Sequence, residues 1–394
     1  MNNRKMQTLL LGESTRHLRI MSCAAVMLAT LAAPAYANAI LTVGATGSYS
    51  TISSAVSYAD SHGGTYYTIQ IAPNTYVNDF PVVTVPLTLE ADPATQGPVI
   101  LQATVAPSNL KGIITTSASL TAIGMTFEGA AISDLYGANA AGIRAQAGTE
   151  ILTIKNSIFR NNQDGILIDS YPTEAVTISG SQFIGNGVAT GPHAGLEHAV
   201  YAGQVKSLSV SGSTFCGTLV GHDIKSRAAS ATITNNKLFD GAADPALGCA
   251  AGSTSYAVDI SNGGQTRMSG NDIVQGPATK NYTMVSYGAD GTLPGYTNSF
   301  TSSKDSFINS LPGTSVGIYN HLSDVTAVVN CDSFSGVSDP TRGPANVSCT
   351  APVPVPEPSS LSLMGAFLLV FAGFSMWGRQ VGPSRKTVNF VPLL

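Results

Sequence analysis

The segment 198–227, HAVYAGQVKSLSVSGSTFCGTLVGHDIKSR, states one pattern and then begins it again. His198-Ala199-Val200-Tyr201 is answered by His222-Asp223-Ile224-Lys225, and each opens a run that continues into an alternating apolar strand and a turn rich in Asn or Ser. The same unit recurs upstream in GIRAQAGTEILTIKNSIFRNN (142–162) and GILIDSYPTEAVTISGSQFIGN (165–186), and downstream in ATITNNKLFDG (231–241) and TRMSGNDIVQG (266–276). Aligning the central apolar residue gives Ile143, Ile166, Val200, Ile224, Val258, Val285 and Ile318, at spacings of 23 to 34 residues. Such spacings are too short for separate domains and suit the coils of one solenoid with loops of varying length.

Within each coil the apolar residues alternate with period two, as in Leu208-Ser209-Val210-Ser211 and Ala231-Thr232-Ile233-Thr234. That is strand periodicity, and helix-period runs are almost absent. Strands that never form hairpins must stack on the equivalent strand of the next coil. On these residues the chain resembles the right-handed parallel β-helix, the pectin-lyase-like architecture, over about residues 40–340. The recurrent Asn156, Asn162, Asn186, Asn235, Asn236 and Asn271 fit that resemblance, because such turns need residues that tolerate left-handed backbone or stack their amides. The fold class expected is all-β, a parallel β-helix solenoid spanning 40–338.

The ends read differently. Residues 1–39 have the order of an export signal: Arg4, Lys5, Arg16 and Arg19, the apolar run Ile20 to Ala33, then Ala35-Tyr36-Ala37 as a small-x-small cleavage site. That run is shorter than the roughly 20 residues a membrane span needs. Residues 49–60, YSTISSAVSYAD, form the one amphipathic helical segment, with Ile52, Ala55, Val56 and Ala59 on one face. In β-helix proteins a helix here caps the open end of the solenoid. Residues 339–358 are Pro-rich and read as a stiff linker. In 359–394, an apolar stretch from Leu361 to Trp377 precedes Arg379, Arg385 and Lys386. Together with Val355-Pro356-Glu357-Pro358 this resembles the PEP-CTERM sorting signal of Gram-negative bacteria, which implies export, handling by exosortase-type machinery and transient anchoring by a C-terminal membrane helix.

Charged residues make up only 11% of the chain, with 40 Gly and 21 Pro. Without both terminal segments, 12 of the 19 basic and 21 of the 23 acidic residues remain, a net of −9. Such a surface repels phosphate backbones, so nucleic acid is not an expected partner. Cys216, Cys249, Cys331 and Cys349 lie beyond the export signal and allow two disulfides in three connectivities; Cys216 with Cys249 and Cys331 with Cys349 are favoured because each pair lies within one or two coils.

With the aligned apolar residues pointing inward, the next residue of each strand points out. The outward column reads Arg144, Leu167, Tyr201, Lys225, Asp259, Ser286, Tyr319, and the column two residues on includes Asp169, Arg227 and His321. Coils stack about 4.8 Å apart. Tyr201, Lys225, Arg227 and Asp259 are therefore expected to form one exposed cluster with His198 and His222 stacked at its margin. Arg144 lies further along the same column, and Tyr287, with Gly263 and Gly264, is expected near the same face as a ligand contact.

The fold resemblance implies a polysaccharide partner along this face and cleavage by β-elimination at a uronic acid. That reaction needs a base for the C5 proton, a cation for the sugar carboxylate and an acid for the leaving oxygen. Lys225 is assigned as base, Arg227 as carboxylate partner, and Tyr201 or His198 as acid. Ile224-Lys225-Ser226 is similar to the Asn-Lys-Ser stretch of alginate and chondroitin lyases, whereas their Arg-His-Gly stretch is absent. No Asp-Asp pair of the polygalacturonase kind occurs, and Asp169 and Asp259 fall three coils apart. The calcium cluster of pectate lyases is missing too, so no metal or other cofactor is assigned. Two classes stay open: a lyase-like enzyme, and a non-catalytic structural or adhesive component of an exopolysaccharide matrix, in which Lys225 and Asp259 are a surface ion pair.

Overall fold

A computed structural model describes residues 38–349 of the chain. Thirty-two short strands fall into three sheets of 12, 10 and 10 strands. Successive strands pass from one sheet to the next, so that three strands complete a coil. Ile151–Lys155 lies in the first sheet, Ile158–Arg160 in the second and Asp164–Ile168 in the third; Ala175–Ser179 then pairs parallel with Ile151–Lys155 one coil on. The strands of Leu208 and Ile233 also run parallel, with Val210 opposite Ile233. This is an all-β parallel β-helix.

The register in the third sheet is the one the repeat predicts. Ile143, Ile166, Val200, Ile224, Val258, Val285 and Ile318 stand opposite one another from coil to coil. All seven are buried, at 1% exposure or less. The second sheet contributes a stack of rings, Phe127, Phe159, Phe183 and Phe215, with centroids 4.6 to 5.0 Å apart. Parallel in-register strands put like residues above like, so flat rings meet face over face at the spacing of the coils.

The recurrent asparagines divide into two roles. Asn156 and Asn235 take positive φ, 50° and 55°, where a compact polar side chain costs least. Asn162, Asn186, Asn236 and Asn271 are buried and form ladders: the Asn162 amide donates to Asn186 Oδ1 at 3.2 Å, and the Asn236 amide to Asn271 Oδ1 at 3.0 Å. These bonds satisfy amide groups that would be costly to bury alone.

A helix covers Ile52–Ser61, with the Thr51 hydroxyl accepting from the Ser54 N–H as its N-cap. It buries the predicted face of Ile52, Ala55, Val56 and Ala59 in the core. Both favoured disulfides are present, Cys216–Cys249 and Cys331–Cys349.

One boundary needs correction. The solenoid does not end at residue 338: Asp339–Arg342 and Ala345–Ser348 are strands that pair parallel with Val316–Asn320 and Ala327–Asn330. Pro340 is tolerated because its strand is the last of the third sheet, where one edge has no neighbour to receive an N–H. Residues 1–37 of the segment expected to be an export signal, the rest of the Pro-rich segment and the apolar C-terminal stretch lie outside the described residues. No helix among the described residues is long and apolar enough to cross a membrane.

Candidate active-site groove

The outer face of the third sheet carries the predicted column: Arg144, Leu167, Tyr201, Lys225 and Asp259 follow one another in register. A second column runs beside it. Asp164, His198, His222 and Tyr256 share the position two residues before the central apolar one. Strict alternation would send these inward. Instead the two residues between the columns both face the core, as Gly165 and Ile166 do; a Cβ on Gly165 would stand 3.0 Å from the Phe183 ring and on Gly142 2.7 Å from the Phe159 ring. Two consecutive inward positions turn the residue before them outward.

Above these columns lies a groove of about 410 Å³, lined by Asp164, Leu167, His198, Tyr201, Lys225 and Arg227 on the sheet side. Gly137, Asn139, His193, Leu196 and Glu197 form its wall. The wall comes from two loops, around the 3₁₀ turn Asp134–Tyr136 and in the segment leading to Val200, joined where His193 Nδ1 lies 3.3 Å from Asp134 Oδ1.

Within the groove the two cations differ. Arg227 is committed to the protein: its Nε donates to the Tyr201 hydroxyl at 3.2 Å, its Nη2 to Asp290 Oδ2 at 2.9 Å, and its Nη1 to Asn262 Oδ1. Lys225 Nζ is 3.7 Å from Asp259 Oδ2, beyond a good hydrogen bond. Burial pushes the Asp259 carboxyl up from its ordinary range, while the Ser261 hydroxyl, donating at 2.7 Å, and Lys225 pull it back.

The histidines stack as predicted, with ring centroids 4.7 Å apart. Both are buried, at 3% and 8% exposure. His198 Nδ1 accepts the His222 backbone N–H at 3.0 Å, which leaves the ring proton on Nε2. Burial, then His222, Lys225 and Arg227, hold His198 far below the usual imidazole range. His222 is depressed to about 3, by burial first and Lys225 second. Both rings are neutral near pH 7, so neither acts as an imidazolium acid.

The structure thus brings His198, Tyr201, Lys225 and Arg227 into one groove, with His222 and Asp259 packed beside it. Arg144 is not part of it: its Nη2 pairs with Asp169 Oδ1 at 2.7 Å, two coils before Tyr201. Tyr287 is a correction. It stands two residues after Val285, shares its inward side, is fully buried and donates its hydroxyl to the Gly264 carbonyl at 2.7 Å. It belongs to the core and cannot meet a ligand on the outer face.

Two acids were missed in the sequence. Asp164 is 1% exposed, and its Oδ1 accepts the His198 N–H at 2.8 Å. Burial raises it well above the carboxylate range, against the pull of that hydrogen bond. Glu197 is also 1% exposed, with neither carboxyl oxygen hydrogen-bonded. Asp164 occupies the register position of His198 and His222, a signal present in the repeat. Glu197 and His193 sit in a loop that no period describes.

The family model described as "Right handed beta helix region" matches residues 111–333, more than half of the chain. The chain belongs to the right-handed β-helix family. Among solved structures it is similar to the pectin methylesterase of Aspergillus niger, in a deglycosylated form, with 13% identity, a TM-score of 0.43, and coverage of 71% of this chain and 88% of that one. It is also similar to a mutant DFA-IIIase of Arthrobacter chlorophenolicus A6 in complex with DFA-III, with 12% identity, a TM-score of 0.41, and coverage of 80% and 84%. These likenesses concern the fold alone. No curated protein matches the sequence.

Proposed function

We propose that the protein is exported and acts on an acidic polysaccharide laid across the groove, cleaving it by β-elimination. The observation that carries this reading is the convergence of Tyr201, Lys225 and Arg227 in a groove of about 410 Å³ instead of on a flat face. Two disulfides suit an oxidising compartment. The terminal segments fit the same setting as an export signal and a PEP-CTERM-like signal read by exosortase, with the helix Ile52–Ser61 capping the first coil.

On these contacts we give Arg227, Lys225 and Tyr201 roles other than those expected from sequence. Each nitrogen of Arg227 already donates within the protein, to Tyr201, Asn262 and Asp290, so we assign it to orienting Tyr201 instead of binding the sugar. Lys225, whose contact with Asp259 is a loose 3.7 Å, is the cation left to offset the sugar carboxylate. With its oxygen held by Arg227 Nε, Tyr201 is the group placed to take the C5 proton. The C4–O bond then breaks, C4 and C5 become doubly bonded, and the departing oxygen takes a proton. Incubating the purified protein with uronate polymers and following ultraviolet absorbance of the unsaturated product tests this; Tyr201→Phe and Lys225→Ala should each abolish it.

A second reading, a glycan-binding matrix component without catalysis, is favoured by the Lys225–Asp259 contact, which suits binding more than proton abstraction. Oligosaccharide binding without any cleavage would select it.

A further inference from the structure

Departure of the glycosidic oxygen needs a proton, and the groups named so far do not supply it. His198 is a neutral ring whose Nδ1 is occupied, Lys225 is given to the sugar carboxylate, and Asp164 Oδ1 holds the His198 N–H. We infer that Glu197 is the proton donor to the leaving glycosidic oxygen. This rests on the cleavage reading above and adds to it a catalytic residue on the wall of the groove.

The geometry favours this carboxyl in three ways. Glu197 lines the groove opposite the sheet residues, is 1% exposed, and has no hydrogen-bond partner on either oxygen. A buried carboxyl without partners is costly, and a groove that receives a sugar oxygen gives it the partner it lacks. Its backbone is fixed on both sides. The next N–H is bound by Asp164, and Gly221 presses so closely that a Cβ there would lie 1.7 Å from the Glu197 carbonyl oxygen.

Its protonation suits the task. Burial first of all, with Asp134 adding to it, lifts Glu197 to about 7 against the pull of its own and the Leu196 N–H, which lie near the carboxyl without reaching hydrogen-bond geometry, and of His193. Asp164 faces it from the third sheet, and Lys225 and Arg227 line the same groove. The acid form is thus populated up to about pH 7 and still gives up its proton readily, the condition for an effective general acid. In the step, the Glu197 proton passes to the oxygen leaving C4 and the carboxylate remains, while the C5 proton goes to Tyr201. A second turnover requires the two groups to exchange protons with solvent.

The test compares wild type with Glu197→Gln on a uronate polymer and on a synthetic uronide whose leaving group at C4 is a nitrophenol, which departs without a proton. Expected is a loss of about 10²- to 10⁴-fold on the polymer, with near wild-type rates on the nitrophenyl substrate. The wild-type polymer rate should also fall as pH rises through about 7. Equal losses on both substrates would reduce Glu197 to a structural role, and an unchanged polymer rate would overturn the inference outright. If wild type releases reducing ends without unsaturated product, β-elimination fails but the role of Glu197 stands if Glu197→Gln loses the polymer rate and keeps the rate on a uronide with nitrophenol at C1, because hydrolysis also protonates the leaving oxygen. A wild-type protein that cleaves neither substrate overturns both readings.

Discussion

We expect Glu174 to make the folded chain less stable as pH rises. It lies in the turn before the strand Ala175–Ser179, is fully buried, and has no hydrogen-bond partner on either carboxyl oxygen. Burial, reinforced by Asp169, lifts its titration from the ordinary 4.5 to about 8. In the unfolded chain the carboxyl ionises above pH 4.5, whereas in the folded chain it keeps its proton to about pH 8. Between those values the native state binds more protons than the unfolded one, so each added pH unit removes up to about 1.4 kcal/mol. Across the window the loss is on the order of 3–5 kcal/mol. Glu174→Gln keeps the shape and removes the titration. We expect the variant to match wild type within about 1 kcal/mol at the acidic end and to exceed it by about 3–5 kcal/mol at pH 8. Urea denaturation followed by circular dichroism at a series of pH values, with both disulfides intact, measures the difference. Asp164, Asp223, Asp240 and Glu197 titrate in both proteins and cancel in it. A difference that does not grow with pH would mean that the carboxylate is solvated or paired, and would refute the argument.

Other perturbations give separable outcomes. Phe183→Ala removes the central ring contacts of the second-sheet stack and should cost about 3–5 kcal/mol, read as a drop in the urea midpoint without loss of the neighbouring groove. Ile224→Asp puts an unpaired charge in the buried column and should destabilise by several kcal/mol, enough to abolish a cooperative transition. Lys225→Ala should abolish binding of an acidic oligosaccharide by calorimetry at a stability cost of about 1 kcal/mol or less. Arg227→Ala should instead cost about 2–3 kcal/mol, because it leaves Tyr201, Asn262 and Asp290 without their common donor. Equal behaviour of the two variants would contradict the division of labour between the cations.

The fold was legible because one apolar residue per coil repeats and its register is strict; the column from Ile143 to Ile318 and the outward neighbours Tyr201, Lys225 and Asp259 needed nothing else. The same alternation already sends Tyr287 inward beside Val285, and the reading that put it on the outer face set that rule aside. Alternation itself fails at Asp164, His198 and His222, because two successive inward residues shift the phase, and no residue type in the repeat marks which pair does so. The end of the solenoid was obscured by proline, whose exclusion from central strands does not extend to an edge. Glu197, His193 and Asp134 belong to loops of unequal length, and their meeting depends on how two such loops close over the sheet. The commitment of Arg227 to the protein was illegible for the same reason: Asn262 and Asp290 come from outside the aligned columns.

The Cys331–Cys349 bond has a mechanical consequence. Cys331 follows the strand Ala327–Asn330 and Cys349 follows Ala345–Ser348, which lies directly upon it. Tension applied at the C-terminal end therefore passes through sulfur to Cys331 and leaves the intervening segment, a sequence separation of 18, slack. Peeling would start one coil further in, between Ala327–Asn330 and Ser299–Ser303, with the final coil carried off as a closed ring. In a single-molecule pulling record the unfolded length would fall short by roughly 60 Å, and a reducing agent would restore it.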